Sequence, residues 1–212
     1  MSAHTLPVLD DQYVSFGQRH HALRLAMWAF VGSELLFFGG LFTLYAAYRV
    51  MWGHDFAEAV HHNTLWYGTV NTYVLLTSSF TVALAVHYTR VARPRTAFYC
   101  LTSTMALGVA FLVLKSFEYL QHIHEGALPG LYYHHAAEPT FGAARLYTLY
   151  WMMTGLHALH VIVGLFILGW LSVRAHAGWY TPEHHTHLEI ATLYWHLVDL
   201  VWIFLWPLLY LT

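Results

Sequence analysis

Long apolar runs separated by short polar stretches set the pattern of this chain. The first run covers residues 22–48, carries one acid at Glu34, and is closed by Arg49 and a stretch at 53–63 that reads as a loop. A second run at 65–89 has no charged residue in its interior and stops at a basic turn with Arg90, Arg93, Pro94 and Arg95. The third, 96–121, holds Lys115 and Glu118 near its end and leads into a loop at 122–143 that contains Pro and Gly. The fourth and fifth cover 144–174 and 188–211, joined by a connection with Gly178, Pro182, His184 and His185.

Each run is long enough to cross about 30 Å of hydrocarbon at about 1.5 Å per residue, and none shows the apolar/polar alternation of a membrane barrel strand. Lipid offers the backbone no hydrogen-bond partner, so helices remain as the spanning structure. The pattern predicts an all-α fold: a polytopic bundle of five transmembrane helices within residues 22–212, preceded by an exposed arm at 1–21.

Composition narrows this further. The chain is 58% hydrophobic and only 9% charged, against about 25% charged in an ordinary soluble domain, which excludes a soluble monomer. Nine basic against eleven acidic residues leave no surplus to neutralise a phosphate backbone, so nucleic acid is excluded as a main partner. A single cysteine, Cys100, excludes an internal disulfide framework, a four-cysteine zinc site and a cysteine-held iron–sulfur cluster. Residues 1–21 lack the apolar core and cleavage site of a secretory signal. With the N-terminus inside, Arg19, Arg24, Arg90, Arg93, Arg95 and Arg174 fall on the inner side, and Arg49, Lys115 and Arg145 on the outer. That bias predicts N-terminus cytoplasmic and C-terminus outside. No internal repeat supports a transporter made of two inverted halves.

Ionisable groups inside a bilayer are costly and usually face protein. Glu34 lies about 18 Å into the first span, near the midplane. Asp199 sits at similar depth in the fifth span with His196 one turn before it, and His157 and His160 are mid-depth in the fourth. Shared depth makes these five candidate partners, either as a proton-accessible network between helices or as a cluster that fixes packing. Lys115 and Glu118, spaced i,i+3, are expected to form an ion pair near the outer boundary.

Eighteen histidines raise the question of metal. The pairs His134–His135 and His184–His185 fall in predicted loops without a cysteine or convergent carboxylates, which fits solvated surface. His157, His160 and His196 have the depth to hold a haem between helices, which keeps a b-type cytochrome as an alternative. Most tryptophans lie near span ends, as interface anchors do, whereas Trp195, Trp202 and Trp206 make a stripe along the fifth span. Small residues at Thr104 and Gly108, and at Thr154 and Ala158, permit close helix approach.

The segment from His184 through Glu189, Tyr194, Trp195, His196 and Asp199 to Trp202 closely resembles the last helix of subunit III of haem–copper terminal oxidases. Four further pieces follow the family's order. They are Gly32-Ser33-Glu34-Leu35-Leu36-Phe37-Phe38, Asn71-Thr72-Tyr73-Val74-Leu75-Leu76, Phe117-Glu118-Tyr119, and Thr154 to Gly164 around His157 and His160. The common form of this subunit has seven helices, and this chain resembles its last five. Arg174 stands in the place of the family's lipid-phosphate arginine, and Glu34 in that of its buried acid facing subunit I. The acid is expected to be protonated or hydrogen-bonded, because desolvation penalises a lone charge.

The resemblance implies an accessory subunit with no catalytic residue, metal or cofactor of its own. Its implied partners are the catalytic subunit I and subunit II, which carry haem and copper, and membrane lipids, including a bound phospholipid. It would stabilise a proton-pumping cytochrome c oxidase in a bacterial plasma (inner) membrane and support proton uptake during aerobic electron transport. A same-family subunit of a quinol oxidase or a nitric oxide reductase is the nearest alternative.

Overall fold

A computed structural model describes residues 16–134, 140–176 and 185–211. Among them are six α-helices: α1 (Phe16–Met51), α2 (Gly53–His62), α3 (Leu65–Arg90), α4 (Pro94–His124), α5 (Phe141–His176) and α6 (Thr186–Tyr210). A single 3-10 turn, Gly130–Tyr132, interrupts the α4–α5 connection. Five of these helices, all but α2, are long and apolar enough to cross a membrane, so the all-α five-span architecture holds.

The helices extend beyond the apolar runs. Residues 16–21, read as arm, already belong to α1, while residues 1–15 lie outside the described part. The stretch read as a loop at 53–63 is largely helical. Phe56, Ala59 and Val60 recur at i, i+3, i+4 and are buried, while His54 and Glu58 face outward, the spacing of a one-sided amphipathic helix. Burial of that one face offsets the polar residues on the other, which is why the stretch is helix rather than loop. This short helix also fixes its neighbours: Asp55 Oδ2 accepts the Gly142 backbone N–H at 3.1 Å, satisfying a donor at the start of α5. Asn63 donates to the Leu209 carbonyl at 2.7 Å.

The C-terminal ends of α3 and α4 stop by the same device. After α4, Gly126 takes φ 78 and the Ala127 N–H returns to the His122 carbonyl at 2.9 Å. After α3, Ala92 takes φ 56 and the Arg93 N–H returns to the Tyr88 carbonyl at 2.9 Å. Both close orphan carbonyls as a Schellman turn does; only Gly126 adopts the left-handed conformation without a Cβ penalty. Pro94 then opens α4, where a missing N–H costs nothing.

α6 sits at the centre, packed on α1, α3 and α5, and α3 packs most extensively on α4. Trp202 reaches Thr72 and Trp195 reaches Ser78, both at 3.0 Å, which makes α3 and α6 antiparallel neighbours. Trp195 is fully buried and lies against two glycines. A Cβ at Gly108 of α4 would stand 2.8 Å from its Cη2, and one at Gly164 of α5 would stand 2.8 Å from its Cε3. The aromatic stripe of α6 is therefore the core, and small residues on α4 and α5 make room for it. By contrast α1 is covered on one side only: Leu36 is 81% exposed, Leu25 72% and Trp28 61%.

Candidate functional site

Three polar seams run through this apolar bundle. The first joins α1 to α5. His160 Nδ1 lies 2.8 Å from the Leu156 carbonyl, a contact that requires Nδ1–H, and Nε2 faces Glu34 Oε2 at 3.1 Å. One proton must then sit between Nε2 and the carboxyl, because two bare lone pairs repel. Phe38 packs edge-on against the His160 ring, and Tyr194 donates to the His160 carbonyl at 3.0 Å.

The other mid-depth groups go elsewhere. His157, one turn before His160, is buried between Phe111 and Trp202, with ring centroids 5.5 and 5.2 Å away, and neither ring nitrogen has a hydrogen-bond partner among the described residues. His196 Nδ1 meets Ser79 Oγ at 2.6 Å. Asp199 is buried beside Ser79, and among the described residues neither carboxyl oxygen reaches a partner in good hydrogen-bond geometry. The five residues expected as partners thus split into one bonded pair, Glu34 with His160, and three groups bonded to none of the others. The three histidines face Glu34, Ser79 and the Phe111–Trp202 cleft rather than one common gap, so they do not form a haem-ligand set. Among the described residues no group of three or more His, Cys, Asp or Glu side chains is placed to hold a metal ion.

The second seam is a closed cage near the C-terminal ends of α4 and α6. Lys115 Nζ donates to Glu118 Oε2 at 2.9 Å, to Tyr150 at 2.9 Å and to Tyr210 at 2.7 Å. Both tyrosine hydroxyls donate in turn to Glu118 Oε1. Rings of Tyr119, Tyr150, Trp202 and Tyr210 surround the ammonium at 4.6–5.4 Å, which adds cation–π attraction. Lys115 and Glu118 do meet, but with side chains only 2% and 1% exposed the pair is an interior element shared by three helices. The tyrosines and Trp202 carry it, and their role was invisible from the i,i+3 spacing alone.

The third seam lies at the opposite ends of these helices. Glu189, in the first turn of α6, binds Arg24 of α1 at 3.0 Å and Arg90 of α3 at 2.6 Å, with His185 Nε2 3.1 Å away. These charges rim a cleft of about 430 Å³ whose walls include Trp28, Val86, Ile190 and Leu193, with His196 deeper in. The sequence reading assigned no role to Glu189; two arginines at the same ends of neighbouring spans were the available signal. Arg174, assigned to lipid phosphate, stacks its guanidinium 3.8 Å from the Trp170 ring centroid. His134 is exposed and His185 half-buried, so the solvated-surface reading does not describe His185. His135 and His184 lie outside the described residues.

The fold and its seams define a class: a polytopic helical membrane subunit whose ionisable groups serve contacts between helices. A family model described as cytochrome c oxidase subunit III matches residues 15–212. The chain belongs to that family, subunit III of the haem–copper oxidases, whose accessory role needs no cofactor of its own. It is 34% identical to cytochrome c oxidase subunit 3 of Thermostichus vulcanus, over 88% of this chain and 86% of that protein. Similarity to quinol oxidase subunit 3 of Bacillus spizizenii is 28% identity over 88% and 85%. For cytochrome c oxidase subunit 3 of Gallus gallus it is 31% over 91% and 73%.

Proposed function

We propose that this chain docks through α1 against the catalytic subunit I of a proton-pumping oxygen reductase that also contains subunit II. The observation that carries this is the composition of α1. Its outer face is apolar and exposed along its length, yet at mid-depth Glu34 turns into the bundle to His160. A face of that kind suits another membrane helix, and the Glu34–His160 contact sets how α1 is presented. Haem and copper reside in the partner subunits, electrons pass there from cytochrome c to oxygen, and water is the product. This chain stabilises the assembly and helps sustain proton uptake.

The membrane is a bacterial plasma (inner) membrane, with the N-terminus cytoplasmic and the C-terminus outside, on the basic-residue bias. Phospholipid is a further partner. The rim over the apolar cleft, Arg24 and Arg90 around the single carboxylate of Glu189, keeps a net positive charge that suits a headgroup phosphate above an acyl chain, and Arg174 supplies a second cationic position at the C-terminal end of α5.

A quinol donor is the second reading, favoured by the relative named quinol oxidase subunit 3. Purifying the complex in mild detergent through a tag on this chain tests both. Co-purification of a haem–copper subunit with oxygen consumption on reduced cytochrome c is expected; turnover on quinol alone selects the second reading. A haem band that stays with the isolated chain defeats both.

A further inference from the structure

Arg145 stands in the second turn of α5, where that helix meets the C-terminal end of α1. Its guanidinium carbon lies 4.7 Å from the Phe141 ring centroid and 5.9 Å from that of Tyr48. Trp52 packs edge-on against both rings, at 5.5 Å from Tyr48 and 5.8 Å from Phe141. Aromatic side chains from α1, the α1–α2 junction and α5 thus hold one cation in place, with attraction between its charge and the ring faces.

A guanidinium held by rings keeps its N–H donors for another partner, because all five lie in one plane as a rigid fork. Arg145 is exposed, and among the described residues none of these donors is taken by a hydrogen bond or an ion pair. The acids of α2, which packs on α5, are turned to other groups: Asp55 to the Gly142 N–H at 3.1 Å, and Glu58 to His54 at 3.7 Å. Arg24 and Arg90, by contrast, share Glu189.

The surroundings indicate what fills the fork. Val50, 87% exposed, and Met51, 66% exposed, continue the uncovered apolar face of α1 to its end. The Glu34–His160 contact lies on the same α1–α5 seam, about 20 Å away at about 1.5 Å per residue. A membrane helix laid on that face reaches Arg145 with its own end, where polar residues begin. Of the groups a protein offers there, a carboxylate matches the guanidinium in charge and in two-point geometry. Apolar neighbours keep water from such a pair, which strengthens the attraction. Arginine among aromatic residues is also a frequent composition of interface hot spots.

We propose that Arg145 is a docking anchor, its ring-held guanidinium receiving an aspartate or glutamate side chain of the catalytic subunit at the C-terminal end of the α1 face. The anchor rests on the docking of α1 proposed above and adds its register: the apolar face supplies area, and Arg145 fixes where along α1 the partner comes to lie.

The oxidase complex, purified in mild detergent from wild type and from Arg145→Lys, tests this. A water-soluble carbodiimide condenses an amine with a carboxylate in contact with it, forming an amide with loss of water. The introduced lysine is expected to become joined to an Asp or Glu of the catalytic subunit, located by peptide mass spectrometry. A complex that co-purifies but gives no such link, or a link only within this chain, overturns the anchor and leaves the docking of α1 standing. A chain that brings down no haem–copper subunit defeats both. As a second arm, Arg145→Gln is expected to release this chain from the complex about tenfold faster, the factor that one charged hydrogen bond supports. Arg93→Gln, at the exposed turn between α3 and α4, is expected to release it at the wild-type rate. Unchanged release from Arg145→Gln overturns the proposal, and a simultaneous fall in bound phospholipid then identifies a headgroup phosphate as the occupant instead.

Discussion

Glu34 and His160, 126 positions apart in the chain, meet at 3.1 Å and tie the least covered helix, α1, to α5. The contact is one-fifth or less exposed on either side, so a substitution at Glu34 acts on a desolvated polar bond.

Glu34→Ala leaves the His160 ring nitrogen without its partner, at a cost of about 1–3 kcal/mol. Retention of this chain in the purified complex during mild heating should fall accordingly. Glu34→Gln keeps the shape and a hydrogen bond, so near-normal retention and turnover are expected. If Gln lowers turnover as far as Ala while assembly stays normal, the proton of the pair matters and the packing account fails.

Gly164→Ala should destabilise the bundle. The new Cβ would stand 2.8 Å from two carbons of the buried Trp195 ring, whose Nε1 is held by Ser78 at 3.0 Å. Overpacking of this kind costs about 1–3 kcal/mol. Gly155 on the same helix meets nothing within 4 Å, and Gly155→Ala should be neutral or slightly stabilising. Melting of the two variants in detergent compares them; equal stability removes the close-packing role of Gly164.

Lys115→Met strands the Glu118 carboxylate in the cage, and breaking a buried pair in this way costs about 3–5 kcal/mol. Lys115→Met combined with Glu118→Gln removes both charges and leaves an acceptor for the two tyrosines. The double variant should therefore be more stable than Lys115→Met alone, as read from a thermal-melting double-mutant cycle. Strict additivity of the two changes would show that the pair does not interact.

Reporters fused to the two chain ends should report opposite sides of the membrane, with the N-terminal one cytoplasmic. Six basic residues fall on the inner side and three on the outer when the five spans are threaded that way. Both reporters on one side reject that threading.

The depth of every mid-membrane group was legible in the sequence, because apolar length and the fixed rise of a helix are local properties. So was the adjacency of Lys115 and Glu118, which the helix imposes on its own neighbours. The ordered motifs from Gly32 to Trp202 likewise carried the family. Legible in principle but missed was α2, whose Phe56, Ala59 and Val60 already show helical spacing.

What the sequence did not contain was azimuth: which way each side chain points once the helices pack. His157 and His160 are three residues apart, so their directions differ by about 60° around α5. That angle sends one to Phe111 and Trp202 and the other to Glu34. Equal depth made Glu34, His157, His160, His196 and Asp199 look like one cluster. Tertiary packing separated them, because partner choice depends on the rotation and pairing of helices, which are set by long-range fits such as Trp195 against Gly108 and Gly164.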